Sequence, residues 1–369
     1  ATGPVKGFAI ALIIGIVATL FTSLVVTRNL FSWALHKGLL KEVRMASLMD
    51  ATEFNFLGWR RAAITGSILV MGASIAIFSI RGEKNFGVDF RGGDRVVLMV
   101  GAGKAKPDVA AVRTVVEDLK LGEVTVQMEK SAEKDFVTVR SPKQTGAQVV
   151  TALVEKFPEA GLTKESEEQV GSLVGNELRN NSLMALTLGM LGILVYVTAR
   201  FEFSFALGAL VALLHDVVIT MGVFALLGKE LSLVTVGAVL TIAGYSVNDT
   251  IVVFDRIREG LQMGRKGSVL EIMNLSVNET LSRTILTGGV TLLTTISLFF
   301  FGGPVLADFA LTILVGVLVG TYSSVFVASP VVLWWSNRNG NLRGEVLGAV
   351  VSVGSEETAA ELSNKSSAS

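Results

Sequence analysis

The sequence predicts a polytopic α-helical membrane protein with one α+β domain inserted between its membrane spans. Half of the 369 residues are hydrophobic and only 17% are charged, whereas an ordinary soluble domain carries about a quarter of charged residues. The apolar residues also form long runs, each close to the roughly 20 residues that cross a ~30 Å hydrocarbon core as a helix. One polar stretch of short alternating elements interrupts these runs and predicts the inserted domain.

The first apolar run, Phe8 to Val26, carries no charge, and a basic segment follows it. We assign residues 1–30 to a first transmembrane helix and residues 31–61 to a linker. The middle of the linker, Leu35 to Met49, is amphipathic, which is typical of a helix lying along a membrane surface. An excess of Lys and Arg in so short a connection places it in the cytoplasm.

Residues 62–80 predict a second transmembrane helix, and residues 81–181 predict a domain outside the cytoplasm. Strands are expected at Asp94 to Val100, Glu123 to Met128, Phe136 to Arg140 and Leu162 to Val170. One helix is expected at Pro107 to Leu119, and a second begins after Thr145, a residue type suited to cap it. The order strand, helix, strand, strand, helix, strand is that of a ferredoxin-like fold.

Residues 182–335 predict five more transmembrane helices, which with residues 62–80 make a six-helix bundle. The spans are Ser182 to Ala199, Phe205 to Leu227, Leu231 to Phe254, Thr284 to Phe301 and Val305 to Trp335. Asp255 to Arg283 is expected to be a cytoplasmic loop because it is rich in basic residues. Residues 336–369 form a polar cytoplasmic tail that is expected to be largely disordered.

The composition excludes several classes of function. Cysteine is absent, so disulfides, thiol catalysis and zinc–thiolate sites are excluded. His36 and His215 are the only histidines, and Lys plus Arg equals Asp plus Glu at 32 each, so neither a His-rich metal site nor nucleic-acid binding is indicated. The sequence contains no GxxxxGK[ST] loop, the motif that binds nucleotide phosphates, so ATP is not expected to supply energy here. We therefore expect no enzyme and no cofactor, with energy supplied by ion flow or by a partner.

Asp249 lies within the apolar run that begins at Leu231, close to Tyr245 and Asn248. A carboxylate inside a membrane helix costs about 2.5–3.5 kcal/mol on insertion scales. It is kept where it faces a partner or a watery path, which makes Asp249 the first functional candidate. The alternative is a carboxylate that only reaches to the cytoplasmic surface.

Two polar stripes indicate a partner for Asp249. Gly237, Thr241, Gly244 and Asn248 lie along one helix face, and Arg283, Thr287, Thr291 and Thr294 begin the next span. Consecutive helices tend to pack together, so Asp249 and Arg283 are expected to come within ion-pair reach. The alternative is that Arg283 only follows the excess of positive charge on the cytoplasmic side.

His215 and Asp216 are adjacent near the middle of another predicted span. Intramembrane His and Asp serve proton relays in transporters. The alternative is a neutral, hydrogen-bonded structural pair that burial keeps uncharged.

The run LTIAGYSVNDTIVVFDRIREG, Leu240 to Gly260, resembles the signature of the SecF family of bacterial protein-export membrane subunits. The same family order continues in NFGVDFRGG (Asn85 to Gly93), VGNELR (Val174 to Arg179), ARFEFSFALGALVALLHDVVIT (Ala199 to Thr220), SRTILTGG (Ser282 to Gly289) and GTYSSVFVASPVVLWW (Gly320 to Trp335). Gly3 to Phe31 resembles the last transmembrane helix of SecD. The chain thus resembles the C-terminal part of a SecD–SecF fusion.

This resemblance implies the fold of the resistance–nodulation–division superfamily and a multi-pass location in the cell (inner) membrane. It implies use of the proton gradient to promote preprotein translocation, with the rest of SecD, the SecYEG channel and the preprotein as partners. The family associates proton passage with a carboxylate and an arginine that match Asp249 and Arg283, and with a SecD carboxylate outside this chain. Rival functions are a small-molecule or lipid exporter of the same superfamily, an intramembrane aspartyl protease using Asp216 and Asp249, and a passive channel scaffold.

Overall fold

The protein consists of membrane-length helices and one four-stranded domain, in a computed structural model that describes residues 4–39, 53–122, 124–131 and 134–339. Within these ranges, seven helices are long and apolar enough to cross a membrane. The chain divides into two units, residues 1–51 and 52–369. The prediction of a polytopic helical protein with an α+β insert is confirmed.

The part of the first unit that the structure describes is mainly one continuous helical segment. It comprises α1 (Pro4–Phe21), a π-helical stretch (Thr22–Thr27) and α2 (Arg28–His36). The helix therefore runs beyond Val26, where the apolar run ends. Residues 40–49 of the expected surface helix, and residues 340–369 of the expected tail, lie outside the described residues.

The second unit begins with α3 (Arg60–Arg81), which leads into the α/β domain. The domain contains α4 (Val88–Arg91), β1 (Gly93–Met99), α5 (Val109–Asp118), β2 (Thr125–Ser131), β3 (Lys134–Ser141), α6 (Gly146–Lys156) and β4 (Thr163–Val170). All neighbouring strands are antiparallel, in the order β2-β3-β1-β4. This is the predicted ferredoxin-like arrangement.

Alternating apolar residues form the core of this domain. Val96 and Leu98 of β1 lie opposite Val139 and Val137 of β3, and all four side chains are buried. Because side chains alternate across a strand, these residues share the sheet face that the helices cover. Val112 and Val116 of α5 and Val149 and Leu153 of α6 complete the cluster.

The cap of α6 differs from the prediction. Thr145 occupies the N-cap position but makes no side-chain cap bond, because its hydroxyl donates to the Pro142 carbonyl instead. The carboxylate of Asp94, on β1, accepts the backbone N–H groups of Thr145 and Gly146, each at 2.8 Å. The cap is therefore supplied from a distant strand, which local spacing cannot reveal.

The helices after the domain are longer than their apolar runs. They are α7 (Ser172–Arg200), α8 (Phe203–Leu226), α9 (Leu233–Gln262), α10 (Val269–Phe301), α11 (Gly303–Ser323), a π-helical stretch (Ser324–Ala328) and α12 (Ser329–Asn339). The start of α7 lies ten residues before the predicted Ser182. The domain boundary predicted at residue 181 therefore falls inside a helix.

The predicted loop Asp255 to Arg283 is mostly helical, so that prediction is wrong. Helix α9 continues to Gln262 and α10 begins at Val269. Polar contacts stabilise the parts of α9 and α10 that extend beyond the predicted membrane spans. Arg265 pairs with Glu279 at 3.0 Å, and Ser268 with Glu271 forms a capping box at the start of α10.

The α/β domain contacts the corner between α8 and α9 through backbone bonds. Leu231 N–H donates to the Asn85 carbonyl at 2.7 Å, and Gly87 N–H donates to the Leu231 carbonyl at 2.8 Å. A Cβ atom at Gly87 would lie 2.9 Å from that carbonyl oxygen, so glycine is required for this approach. Arg140 of β3 adds an ion pair to Glu230 at 2.9 Å.

Candidate functional site

Asp216 lies inside the bundle, in the middle of α8, with 0% of its surface exposed. One carboxylate oxygen is 2.9 Å from His215 Nδ1. The other accepts hydrogen bonds from Ser246 Oγ of α9 and from Ser323 Oγ of α11, the latter at 2.8 Å. Asp216 therefore links three helices, and its oxygens have polar partners in place of water, as a buried carboxylate requires.

His215 is buried beside Asp216 and extends the polar cluster toward α3. Its ring stacks on Tyr322, with centroids 6.0 Å apart and 27° between the planes. The Tyr322 hydroxyl lies 3.1 Å from Ser67 Oγ. His215 Nε2 is buried and has no hydrogen-bond partner among the described residues. A neutral imidazole that donates Nδ1–H to Asp216 keeps Nε2 as a free acceptor.

Asp249 forms a second carboxylate cluster, three residues after Ser246 on α9. Its Oδ1 accepts from Thr284 Oγ1 of α10 at 2.9 Å, and its Oδ2 accepts from Ser324 Oγ at 2.9 Å. Residues three apart lie on the same side of a helix, which is why Ser246 and Asp249 both reach the α11 segment. Asp249 keeps 8% of its surface exposed.

The expected ion pair between Asp249 and Arg283 is not formed within the described part of the chain. Arg283 is exposed, and the neighbouring Thr284 reaches the carboxylate instead. Successive residues differ by about 100° around a helix, so Thr284 contacts the carboxylate directly, whereas Arg283 interacts with Asp249 only through its charge. Thr287 is exposed, and its hydroxyl bonds to its own helix at the Arg283 carbonyl.

The other two predicted site residues flank Asp249 without contacting its carboxylate. Asn248 is exposed, and Tyr245 is half-buried. A Cβ atom at Gly288 of α10 would lie 3.7 Å from the Tyr245 hydroxyl. The side of α9 that carries Asn248 is open, since a Cβ atom at Gly244 would meet nothing within 4 Å.

The hydroxyl ligands Ser246, Thr284, Ser323 and Ser324 were not predicted from the sequence. Ser324 begins a π-helical stretch that comes just before Pro330, which has no N–H to donate and disfavours a regular α-helix around it. Such π-helical insertions occur frequently at functional sites. A proline inside the last apolar run, shortly after two adjacent serines, is the signal that could have identified them.

Gly320 lets α11 approach the two clusters. A Cβ atom there would lie 3.1 Å from Ser246 Cβ and 3.6 Å from Asp216 Oδ2. The described residues hold no group of three or more His, Cys, Asp or Glu side chains that could bind a metal. The titratable side chains of these clusters are the carboxylates of Asp216 and Asp249 and the imidazole of His215.

These features define a multi-pass helical membrane protein with a ferredoxin-like domain and ionisable groups inside its bundle. Residues 149–338 match the family described as protein export membrane protein SecD/SecF, C-terminal. The chain is 45% identical over 297 residues to the protein translocase subunit SecF of Magnetococcus marinus, covering 78% of this chain and 94% of that protein. The chain belongs to the SecD/SecF family of protein export membrane proteins.

The family also includes fused forms that are longer than this chain. The protein translocase subunit SecDF of Thermus thermophilus is 39% identical over 346 residues, covering 92% of this chain and 46% of that protein. The crystal structure of SecDF, a translocon-associated membrane protein from the same organism, superposes with a TM-score of 0.80 at 37% identity, again over 92% of this chain and 46% of that chain. The chain thus spans about half the length of these SecDF relatives.

Proposed function

We propose that this chain is the SecF-like part of an accessory subunit of the Sec translocase, which uses the proton gradient to promote preprotein movement across the cytoplasmic membrane. Family membership and the translocase names of the relatives support the role in protein export. The observation that supports proton coupling is Asp249, a carboxylate held by Thr284 and Ser324 between three helices.

The proposed orientation follows from the distribution of charge. The basic residues beside α2, α9 and α10 face the cytoplasm under the excess of positive charge on that side, and the α/β domain lies outside. The remaining SecD portion, the SecYEG channel and the preprotein are the proposed partners. The match to SecDF covers more of this chain than the match to SecF, which supports a SecD-like helix at residues 1–30.

Protonation of Asp249 is the proposed switch. The ionised carboxylate only accepts hydrogen bonds, so it holds the hydroxyl protons of Thr284 and Ser324. Once protonated it loses its charge and gains a donor, which weakens these two contacts and favours their rearrangement. Because packed helices change between discrete arrangements rather than deforming continuously, a new contact pattern at α9, α10 and α11 can be transmitted to the domain outside the membrane.

The remaining site residues have proposed roles around this switch. Arg283 and Asn248 are exposed beside Asp249, on a face where the SecD portion would pack. Arg283 would then stabilise the ionised carboxylate electrostatically, and Tyr245 and Asn248 would line the path to it. His215 and Asp216 are a second proton-binding pair, because His215 Nε2 is an unused acceptor.

The carboxylate geometry argues against an aspartyl protease. A catalytic carboxylate pair shares one proton between close oxygens, whereas Asp216 and Asp249 have separate hydroxyl partners on different serines. The modest size of the α/β domain likewise favours export of polypeptides over a small-molecule exporter with its own substrate pocket.

Asp249→Asn in the full-length protein tests this proposal. The amide cannot bind and release a proton, so preprotein translocation into inverted vesicles should lose its dependence on the gradient while membrane assembly stays normal. Asp255→Asn is the matched control, because Asp255 is exposed on the same helix and should keep gradient-dependent translocation. Normal gradient-dependent export by Asp249→Asn would overturn the proposal.

A further inference from the structure

Two adjacent serines in the last membrane segment bind two different carboxylates. Ser323 Oγ donates to Asp216 Oδ2 at 2.8 Å, and Ser324 Oγ donates to Asp249 Oδ2 at 2.9 Å. Both serines are completely buried. The two carboxylates lie on neighbouring helices, α8 and α9, so this single turn of chain is a physical connection between them.

Each serine also has a second acceptor on its own helix. Ser323 Oγ lies 3.2 Å from the Gly320 carbonyl, and Ser324 Oγ lies 3.1 Å from the Thr321 carbonyl. A hydroxyl has only one proton to donate. It favours an ionised carboxylate, because hydrogen bonds to charged groups are the stronger ones. When the carboxylate is protonated, the serine proton is free to turn fully to the backbone carbonyl.

The backbone at this position is suited to move. Ser323 ends α11 and Ser324 begins the π-helical stretch Ser324–Ala328. A π-helical turn holds one residue more than an α-helical turn, so local rotation changes which side chain faces which helix. Because Ser323 and Ser324 are consecutive, a rotation that moves one hydroxyl away from its carboxylate also moves the other.

We propose that Ser323 and Ser324 are positioning residues that couple the protonation of Asp249 to that of Asp216 through rotation of their shared helical turn. This rests on the proposed function only in taking the same carboxylates as proton-binding groups. No proton passes from one carboxylate to the other: each binds and releases its own proton, and the serines transmit only a change in hydrogen bonding. The two sites then respond to the gradient as one unit rather than independently.

The test is carbodiimide labelling of Asp249 as a function of pH, in full-length protein in lipid nanodiscs. A hydrophobic carbodiimide modifies protonated carboxyl groups, and mass spectrometry of the peptide that contains Asp249 gives the midpoint of labelling. Ser324→Ala removes a donor to the ionised carboxylate and should move the midpoint upward by about one pH unit. Ser323 does not contact Asp249. Coupling nevertheless predicts that Ser323→Ala moves the labelling midpoint of Asp249 upward by about half a pH unit, because loss of the Ser323 hydrogen bond releases the shared turn.

Two further variants separate coupling from general damage to the fold. Thr312→Ala is the matched control, because this buried hydroxyl on α11 bonds only to the Asp308 carbonyl of its own helix, and it should leave the midpoint unchanged. Ser323→Thr keeps a hydroxyl and should restore the native midpoint.

The inference is supported if Ser323→Ala shifts the midpoint and Ser323→Thr reverses the shift. An unchanged Asp249 midpoint in Ser323→Ala, or an equal shift in Thr312→Ala, would overturn it. Labelling requires no translocation, so a shifted midpoint in a protein whose export ignores the gradient would refute the proposed function alone.

Discussion

Two buried carboxylates of the bundle, Asp216 and Asp249, have the same kind of partners but different access to the surface. Asp216 is fully enclosed and contacts His215, Ser246 and Ser323. Asp249 keeps 8% exposure, and its flanking residues Asn248 and Arg283 are exposed. Hydroxyl ligands alone thus do not determine the behaviour of a buried carboxylate, because the packing around it decides whether water and charge can reach it.

This difference follows from the two sides of α9. On the side of α11, a Cβ atom at Gly320 would lie 3.1 Å from Ser246 Cβ, whereas a Cβ atom at Gly244 would meet nothing within 4 Å. The helix is therefore closely packed around Ser246, whereas around Gly244 it is open among the described residues.

Removing the carboxylate should cost more at Asp216 than at Asp249. Asp216→Ala leaves His215 and Ser246 without their hydrogen-bond partners in a closed site, which costs about 3 kcal/mol. Asp249→Ala should cost about 1 kcal/mol, because Ser324 keeps the Thr321 carbonyl as an acceptor and the site is not fully enclosed. Thermal unfolding of both variants in detergent measures the difference, and equal losses would contradict the comparison.

Adding a methyl group should separate the packed side of α9 from the open side. Gly320→Ala overfills the contact with Ser246 and should destabilise the protein by about 1–3 kcal/mol. Gly244→Ala is the matched control, since its methyl group enters open space and should leave the melting temperature of this chain unchanged. A loss at Gly244 comparable to that at Gly320 would show that the open side is packed after all.

Chemical labelling should distinguish the two sites by access. At one pH and one reagent concentration, carbodiimide should modify Asp249 about tenfold faster than Asp216, equivalent to about 1.4 kcal/mol in the labelling barrier. The cause is the partial exposure of Asp249 and the complete burial of Asp216. Peptide mass spectrometry gives both rates in one experiment, and faster labelling of Asp216 would reverse the assignment of the closed and open sites.

Glu230, at the corner between α8 and α9, is another buried carboxylate and extends the comparison beyond the membrane spans. Burial raises its pKa above the ordinary 4.5, against the positive charges of Arg140, Arg91, Arg95 and Arg81, which lower it. The pair with Arg140 is short, at 2.9 Å, yet the desolvation of a buried ion pair can exceed its attraction.

The pH dependence of Glu230 has a definite sign. The folded state binds this proton more tightly than the unfolded state, so the contribution to stability is full below pH 4.5 and is lost as pH rises through the raised pKa. Glu230→Gln should remove this dependence. The stability of the native protein relative to the variant should therefore fall as pH rises. Melting curves recorded at a series of pH values from below 4.5 upward measure this change. A native protein that gains relative stability with rising pH would contradict the sign.

Local patterns were enough to predict the elements and the class of protein. The apolar runs gave the membrane helices, because a helix must present about 20 apolar residues to the hydrocarbon core. The polar stretch between the apolar runs gave the inserted domain, with strands expected at Asp94 to Val100 and at Phe136 to Arg140. An Asp inside an apolar run, at Asp249, marked a functional residue because such burial is costly.

Contacts between distant segments were decided only by the tertiary structure. The helical extensions beyond Phe254 and before Thr284 depend on Arg265 meeting Glu279, and the cap of α6 depends on Asp94 of another strand. The side of α10 that faces α9 decides which residue contacts Asp249. Thr284 makes this contact, and turning α10 by one residue would place Arg283 there instead. The sequence shows where the buried carboxylates lie, but helix packing decides which hydroxyl groups donate hydrogen bonds to them.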